Sequence, residues 1–293
     1  MARKLAGYYP IMATAFREDG EVDLESMRRL TGFLVENGTQ GMSPNGGDSE
    51  GPRLTVDERN RILDVVVEEC AGRAGVLAGG WSKTEDDAIA VCRYASQAGA
   101  DALFVHPPQE WENPTQDQLY GFYASICDAI KIPLMIHAAR GMDVGFMNRL
   151  LEHLPKVEYI KEETSFGRTL RQYVRELGDR VTVFGPGLHY VAELEWGAMG
   201  VMPSCCAPRA HSLVFDLFQE GKKREAEDVW HRMLALVFWR WHTSAQEAGK
   251  EFLKHMGIFE TTYCRNNEGK RMLDDADREE MLRILEWMGG PPY

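Results

Sequence analysis

The sequence contains no apolar stretch approaching the roughly 20 residues that a helix needs to span a bilayer. Its first residues, Met1-Ala2-Arg3-Lys4-Leu5-Ala6, run into Gly7-Tyr8-Tyr9-Pro10 without the apolar core of a secretory signal, so a cytoplasmic setting is expected. Positive charge is in deficit as well. The 33 Lys and Arg stand against 45 Asp and Glu, a formal net charge of -12, which disfavours nucleic acid and anionic membrane surfaces as partners. Cysteine is sparse and unpatterned: Cys70, Cys92, Cys127, Cys205, Cys206 and Cys264 form no C-x-x-C pair and have no metal-ligand spacing. They read as reduced core residues, and for the vicinal Cys205-Cys206 ordinary packing is preferred over a reactive thiol. No G-x-G-x-x-G turn opens the chain, which removes the main support for an open doubly wound sheet.

What the chain does have is a regular alternation. At 293 residues it is long enough for one large single-core unit. Short apolar runs rich in β-formers occur at Tyr8–Phe16, Gly41–Pro44, Gly75–Gly79, Ala102–His106, Leu134–Ala138, Val157–Lys161, Val181–Phe184 and Gly200–Ser204. Helical patterns lie between them, at about 22–37, 55–70, 83–98, 115–130, 144–154, 166–177 and 189–197. Thr55 with Glu58, and Thr115 with Gln118, have the form of capping boxes, and glycines 38 and 99 mark helix ends. Eight strand-helix units of this kind predict an α/β fold, a (β/α)8 TIM barrel. From Ala207 onward only helical patterns remain, so residues 1–221 are expected to form the barrel and 222–293 a C-terminal helical extension packed on it.

The run Val157-Glu158-Tyr159-Ile160-Lys161 draws attention because it ends in a lysine. A buried parallel strand would put Lys161 at its carboxyl end, where barrels keep their chemistry. Desolvation disfavours an ammonium and frees the neutral amine to attack a ketone and form a Schiff base. Other strand ends would bring His106, His137, the turn Gly46-Gly47-Asp48, Gly185-Pro186-Gly187 and Ser204 to the same mouth.

Taken together, Gly7-Tyr8-Tyr9-Pro10 with Phe16, Asp19-Gly20-x2-Asp23, Gly41-x2-Pro44-x-Gly46-x3-Glu50-x3-Leu54-Thr55-x2-Glu58, Ala98-Gly99-Ala100-Asp101-Ala102, Pro114-Thr115-Gln116 and Ile160-Lys161-Glu162 resemble the dihydrodipicolinate synthase / N-acetylneuraminate lyase family. The resemblance runs from about Gly7 to about Leu285. It implies class I, Schiff-base-forming chemistry on pyruvate and other 2-oxo acids, on a barrel with a helical extension, with Lys161 as the imine-forming residue. It also implies a homo-oligomer, a tetramer or a dimer, and no metal or organic cofactor.

The departures narrow the expectation. Two hydroxyl residues usually grip the substrate carboxylate after the glycine of the second strand, and here Gly47 and Asp48 stand there. Asp48 would repel a carboxylate unless backbone N–H groups or a neighbouring cation intervene. The strand-5 tyrosine that shuttles protons in the family falls on His137, whose unperturbed pKa near 6.5 suits an acid and base at neutral pH. The loop after the fourth strand carries His106 but no tyrosine, and the arginine used for a second carboxylate has only a displaced counterpart in Arg140. Lys161 and His137 are therefore the expected catalytic pair, with Gly46, Gly47, Asp48, His106, Arg140, Thr164, Gly185 and Ser204 around the substrate. Acidic residues at the mouth, Asp48 and Glu163 among them, suit a polar or cationic tail, while Glu50 reads as structural. The expected activity is an aldolase-type lyase making or breaking the C3–C4 bond of a 2-oxo acid. A 2-oxo acid dehydratase or a synthase-like condensing enzyme is the alternative, and a non-catalytic binding protein on the same fold is the second.

Overall fold

Eight short strands, all parallel, carry the rest of the molecule. In the computed structural model, which describes residues 4–138, 141–163, 167–266 and 272–290, these are β1 (Gly7–Tyr8), β2 (Gly41–Met42), β3 (Gly75–Gly79), β4 (Ala102–Val105), β5 (Leu134–His137), β6 (Val157–Lys161), β7 (Thr182–Gly185) and β8 (Gly200–Val201). Their order in the sheet is β1-β8-β7-β6-β5-β4-β3-β2, and Ile11 closes the ring by bridging to Ser43 on one side and Ser204 on the other. Between the strands run α1 (Leu24–Glu36), α2 (Val56–Cys70), α3 (Glu85–Ala98), α4 (Gln116–Ala129), α5 (Val144–His153), α6 (Arg168–Leu177) and α7 (Tyr190–Glu195). After β8 come α8 (Pro208–Gln219), α9 (Lys223–His242), α10 (Ala245–His255) and α11 (Asp275–Trp287). This is the expected (β/α)8 barrel with C-terminal helices. No described helix is long and apolar enough to cross a membrane.

Both capping boxes form: Thr55 Oγ1 accepts from the Glu58 N–H while Glu58 Oε2 accepts from the Thr55 N–H at 2.8 Å, and Thr115 with Gln118 repeats the pattern. The strand extents need correction where proline intervenes. β1 stops at Tyr8 and not at Phe16, β2 at Met42 and not at Pro44, and β8 at Val201 and not at Ser204. Pro10, Pro44 and Pro203 lie just beyond these ends, and a residue without an N–H cannot continue a ladder. The chain nevertheless stays alongside its neighbour, since the Tyr9 and Ile11 N–H groups donate to the Val201 and Pro203 carbonyls at 3.0 and 2.8 Å.

Two apolar layers follow from the period of two along each strand. Inside the barrel lie Tyr9, Leu77, Phe104, Met135, Tyr159, Phe184 and Met202, all buried. Tyr9 fills space that side chains on β2 and β3 would otherwise claim: a Cβ at Gly41 would come 2.0 Å from its ring and one at Gly75 2.5 Å from its hydroxyl. The outer layer, between sheet and helices, continues without a break into the C-terminal helices through Trp230, Met233, Trp239, Phe252 and Leu285. Each such side chain contributes roughly 1.5–3 kcal/mol by its burial.

The C-terminal helices also reach the loop after β2. Lys250 of α10 pairs with Glu50 at 2.6 Å, both side chains wholly buried, and its Nζ donates to the Tyr263 carbonyl at 2.7 Å. The second Glu50 oxygen accepts from the Asn266 N–H at 2.8 Å, so this acid is structural, as expected. Arg240 of α9 pairs with Asp48 in the same loop.

Candidate active site

The inward positions of three adjacent strands, continued two residues past the apolar layer, deliver the polar groups. Phe104 leads to His106 just beyond β4, Met135 to His137 at the end of β5, and Tyr159 to Lys161 at the end of β6. His137 and Lys161 are register partners across β5 and β6. The rings of His106 and His137 stack with centroids 3.8 Å apart, and Trp81 stacks on His106 at 4.9 Å.

Lys161 is 2% exposed, yet it is not a lone desolvated amine as the sequence suggested. Its Nζ donates to Glu163 Oε2 at 2.5 Å, and the same oxygen lies 3.2 Å from His137 Nε2. Burial alone would push the Glu163 carboxyl up, but the Lys161 ammonium and the His137 ring outweigh it and hold the group well below the carboxylate range. His137 moves the other way. Burial lowers its pKa below 6.5, with the hydrogen bond to Glu163 opposing and the Lys161 charge assisting, so the ring is neutral at neutral pH and not poised at its free value. His106 is held further down by burial, by His137 and by Lys161. His137 Nδ1 and His106 Nε2 are buried without a hydrogen-bond partner among the described residues.

Lys161 and Glu163 open onto a cavity of about 150 Å³. Gly47, Asp48, His106 and Ser204 line it too, as expected from the sequence. Gly46 and Gly185 do not. The Gly46 N–H is already given to Ser49 Oγ at 3.0 Å, and a Cβ at Gly185 would lie 2.1 Å from Glu193 Oε2, so this glycine makes room for a carboxylate behind the wall. His137 stands back from the cavity and touches it through Glu163. Arg140 and Thr164 lie outside the described residues. The Cys205 and Cys206 thiols are buried and raised by that burial, which suits packing and not nucleophilic chemistry.

Two groups were missed, and for a third, Glu163, its pairing with Lys161. Arg240 comes from α9, within Phe238-Trp239-Arg240-Trp241, and an arginine in so apolar a stretch was a readable signal. Burial works against its charge, but the neighbouring Asp48 carboxylate outweighs it and raises the pKa. Glu163 stands two residues past Lys161 and could have been placed on the same side by period alone. The second missed group is Glu193 of α7, buried behind the turn after β7, where its oxygens accept from the Gly187 and His189 N–H groups at 2.8 Å each.

Glu193 gives a pH prediction. Burial pushes its carboxyl up to about 7 from 4.5, against the pull of those N–H groups. The unfolded carboxyl releases its proton first, so between these two values the folded state holds the extra proton. Stability from this group is therefore full below about pH 4.5 and is lost as pH rises through about 7, a difference on the order of 3 kcal/mol. Melting temperatures of the parent and of Glu193→Gln, taken from pH 4.5 to 8.5, should diverge in slope, with the variant flatter; parallel profiles would show that Glu193 does not titrate in this window.

Comparison with known proteins agrees with the geometry. The model of the dihydrodipicolinate synthetase family matches residues 4–286. A 4-hydroxy-tetrahydrodipicolinate synthase from Pelobacter propionicus is 33% identical over 223 residues, covering 73% of this chain and 76% of its own. An L-2-keto-3-deoxyarabonate dehydratase from Azospirillum brasilense is 27% identical over 290 residues, covering 95% and 93%. Among solved structures, dihydrodipicolinate synthase from Aquifex aeolicus superposes with a TM-score of 0.88 at 24% identity, over 96% of this chain and 97% of that one.

Proposed function

The chain belongs to the dihydrodipicolinate synthetase family, and on that premise we propose that it is a class I lyase that forms an imine between Lys161 and the C2 carbonyl of a pyruvate-type 2-oxo acid. One observation carries the reading: the Lys161 amine, 2% exposed, stands at the mouth of a closed parallel sheet, faces a cavity and is held there by the Glu163 carboxylate. Release of the ammonium proton to solvent frees the amine for attack on C2, with Glu163 holding the nitrogen in place. The carbinolamine then loses water, and the protonated imine draws electrons from the C3–C4 bond, leaving an enamine. A 4-hydroxyl must give up its proton for that bond to break, and His137, neutral and hydrogen-bonded to Glu163, is the base within reach of the relay.

Two of the acids read at the mouth from the sequence are already paired, Glu163 with Lys161 and Asp48 with Arg240. A hydroxylated tail fits this wall better than a cationic one. Loss of water from the imine is the second reading, favoured by the dehydratase relative that aligns over 95% of the chain. Assembly as a dimer or tetramer is part of the proposal, supported by the exposed Phe238, Trp241 and Trp287 side chains. A cytoplasmic setting is supported by the six free, buried cysteines.

Borohydride added with pyruvate should fix a reduced adduct on the peptide containing Lys161, read by mass spectrometry. No adduct across a panel of 2-oxo acids would defeat the proposal. His137→Phe should retain that adduct while slowing turnover by about 10²- to 10⁴-fold; an equal fall in both would remove His137 from proton transfer.

A further inference from the structure

We propose that Arg240, which comes from α9 and not from the barrel strands, is the carboxylate receptor of the pocket, and that Asp48 holds its guanidinium in place. The inference rests on the Schiff-base reading only in taking a 2-oxo acid as the ligand. Such a ligand brings a carboxylate next to the carbonyl that Lys161 engages. An anion entering an enclosed site is strongly disfavoured unless a cation or free N–H groups receive it.

Few groups around the cavity qualify. Gly46, Gly47 and Asp48 carry no hydroxyl, and the Gly46 N–H is spent on Ser49. His211, which also lines the cavity, is pushed down to about 3 by burial and by the Arg240 charge, and therefore stays neutral. His106 is likewise neutral. Lys161 is occupied by the carbonyl chemistry. Among the described residues lining the cavity, Arg240 is then the remaining cation.

Its surroundings suit the role. The residue is 9% exposed, and Asp48 is the sole hydrogen-bond partner of the guanidinium among the described residues. Arginine offers five donors in a rigid fork, and Asp48 takes one through Nη2. Donors remain for a second carboxylate, while the bond to Asp48 holds one end of the fork in place. In this arrangement Asp48 orients the receptor for an anion, where by itself it would have repelled one.

The test uses Lys161→Met, in which no imine can form, as the parent. Pyruvate is titrated into it and into the triple variant carrying Asp48→Asn and Arg240→Gln as well, followed by saturation-transfer NMR. Removing both charges together leaves no orphaned charge at position 48, the loss of the Lys161 partner of Glu163 is common to both proteins, and thermal melts check that both fold. The pyruvate dissociation constant should rise about 10- to 100-fold in the triple variant, the worth of a hydrogen bond to a charged group. Hydroxyacetone, a ketone of similar size without the carboxylate, should change by less than twofold. Equal pyruvate binding in the two proteins, or equal loss for both ligands, would overturn the assignment. So would a loss confined to 2-oxoglutarate, since Arg240 would then read a distal anion. A missing borohydride adduct in the native protein would sink the imine reading and leave the NMR result standing, so the two failures are distinguishable.

Discussion

Lys161→Met should lose turnover by at least about 10⁴-fold, the scale seen when a covalent nucleophile is removed, and should give no borohydride adduct. The size of the effect follows from what the amine does. Without the imine there is no cationic nitrogen to draw electrons from C3, and no neighbouring group supplies one. The substitution also changes a second observable. In the parent, the Lys161 charge helps keep the His137 ring neutral while Glu163 opposes it. Removing the ammonium leaves Glu163 and its hydrogen bond to His137, so the His137 resonances should titrate at a higher pH in the variant than in the parent. An unmoved titration would mean that Lys161, Glu163 and His137 do not form one charge network in solution.

Lys250→Met should destabilise the fold by about 3–5 kcal/mol, because it strands the Glu50 carboxylate in a site where both side chains are wholly buried. For a chain of this length that is a fall in melting temperature of roughly 10 °C. Glu50→Gln with Lys250→Met removes both charges and should recover most of the loss, since the glutamine oxygen can still accept from the Asn266 N–H. Thermal denaturation of the parent, single and double variants decides the matter. If the double variant is no better than the single, the cost lies in lost packing against Phe16, whose ring is 4.5 Å from the Lys250 nitrogen, and not in an unpaired charge.

Lys161 was legible in the sequence because it closes a strand, Val157–Lys161, with the expected bounds. Gly75–Gly79 was equally clear, being five buried residues between two helical patterns. Strands that run into proline were read too long, since side-chain pattern records which residues are buried and not which can donate to a ladder. The pocket was legible on the side of the strand ends and not on the far side. Asp48 was read as a difficulty for a substrate carboxylate, but the partner it meets, Arg240, lies 192 residues away, and no local pattern relates the two. Glu193 was hidden in the same way. An acid inside a short helix usually faces solvent, and only the turn folded over it shows that it is buried.

The single bridge from Ile11 to Ser43 that completes the ring divides the active site by tolerance to change. The groups assigned to bond-making sit on β5 and β6, the strand pair with the most register partners, where a shift of backbone would be costly. The recognition turn with Asp48 hangs from the seam, fastened largely by side chains from α9 and α10. New substrates can therefore be reached by rewriting the turn and its two fasteners while the reactive arc stays untouched. Libraries aimed at altered selectivity belong at positions 47, 48 and 240, and grafting the C-terminal helices of a relative should carry that relative's preference with them.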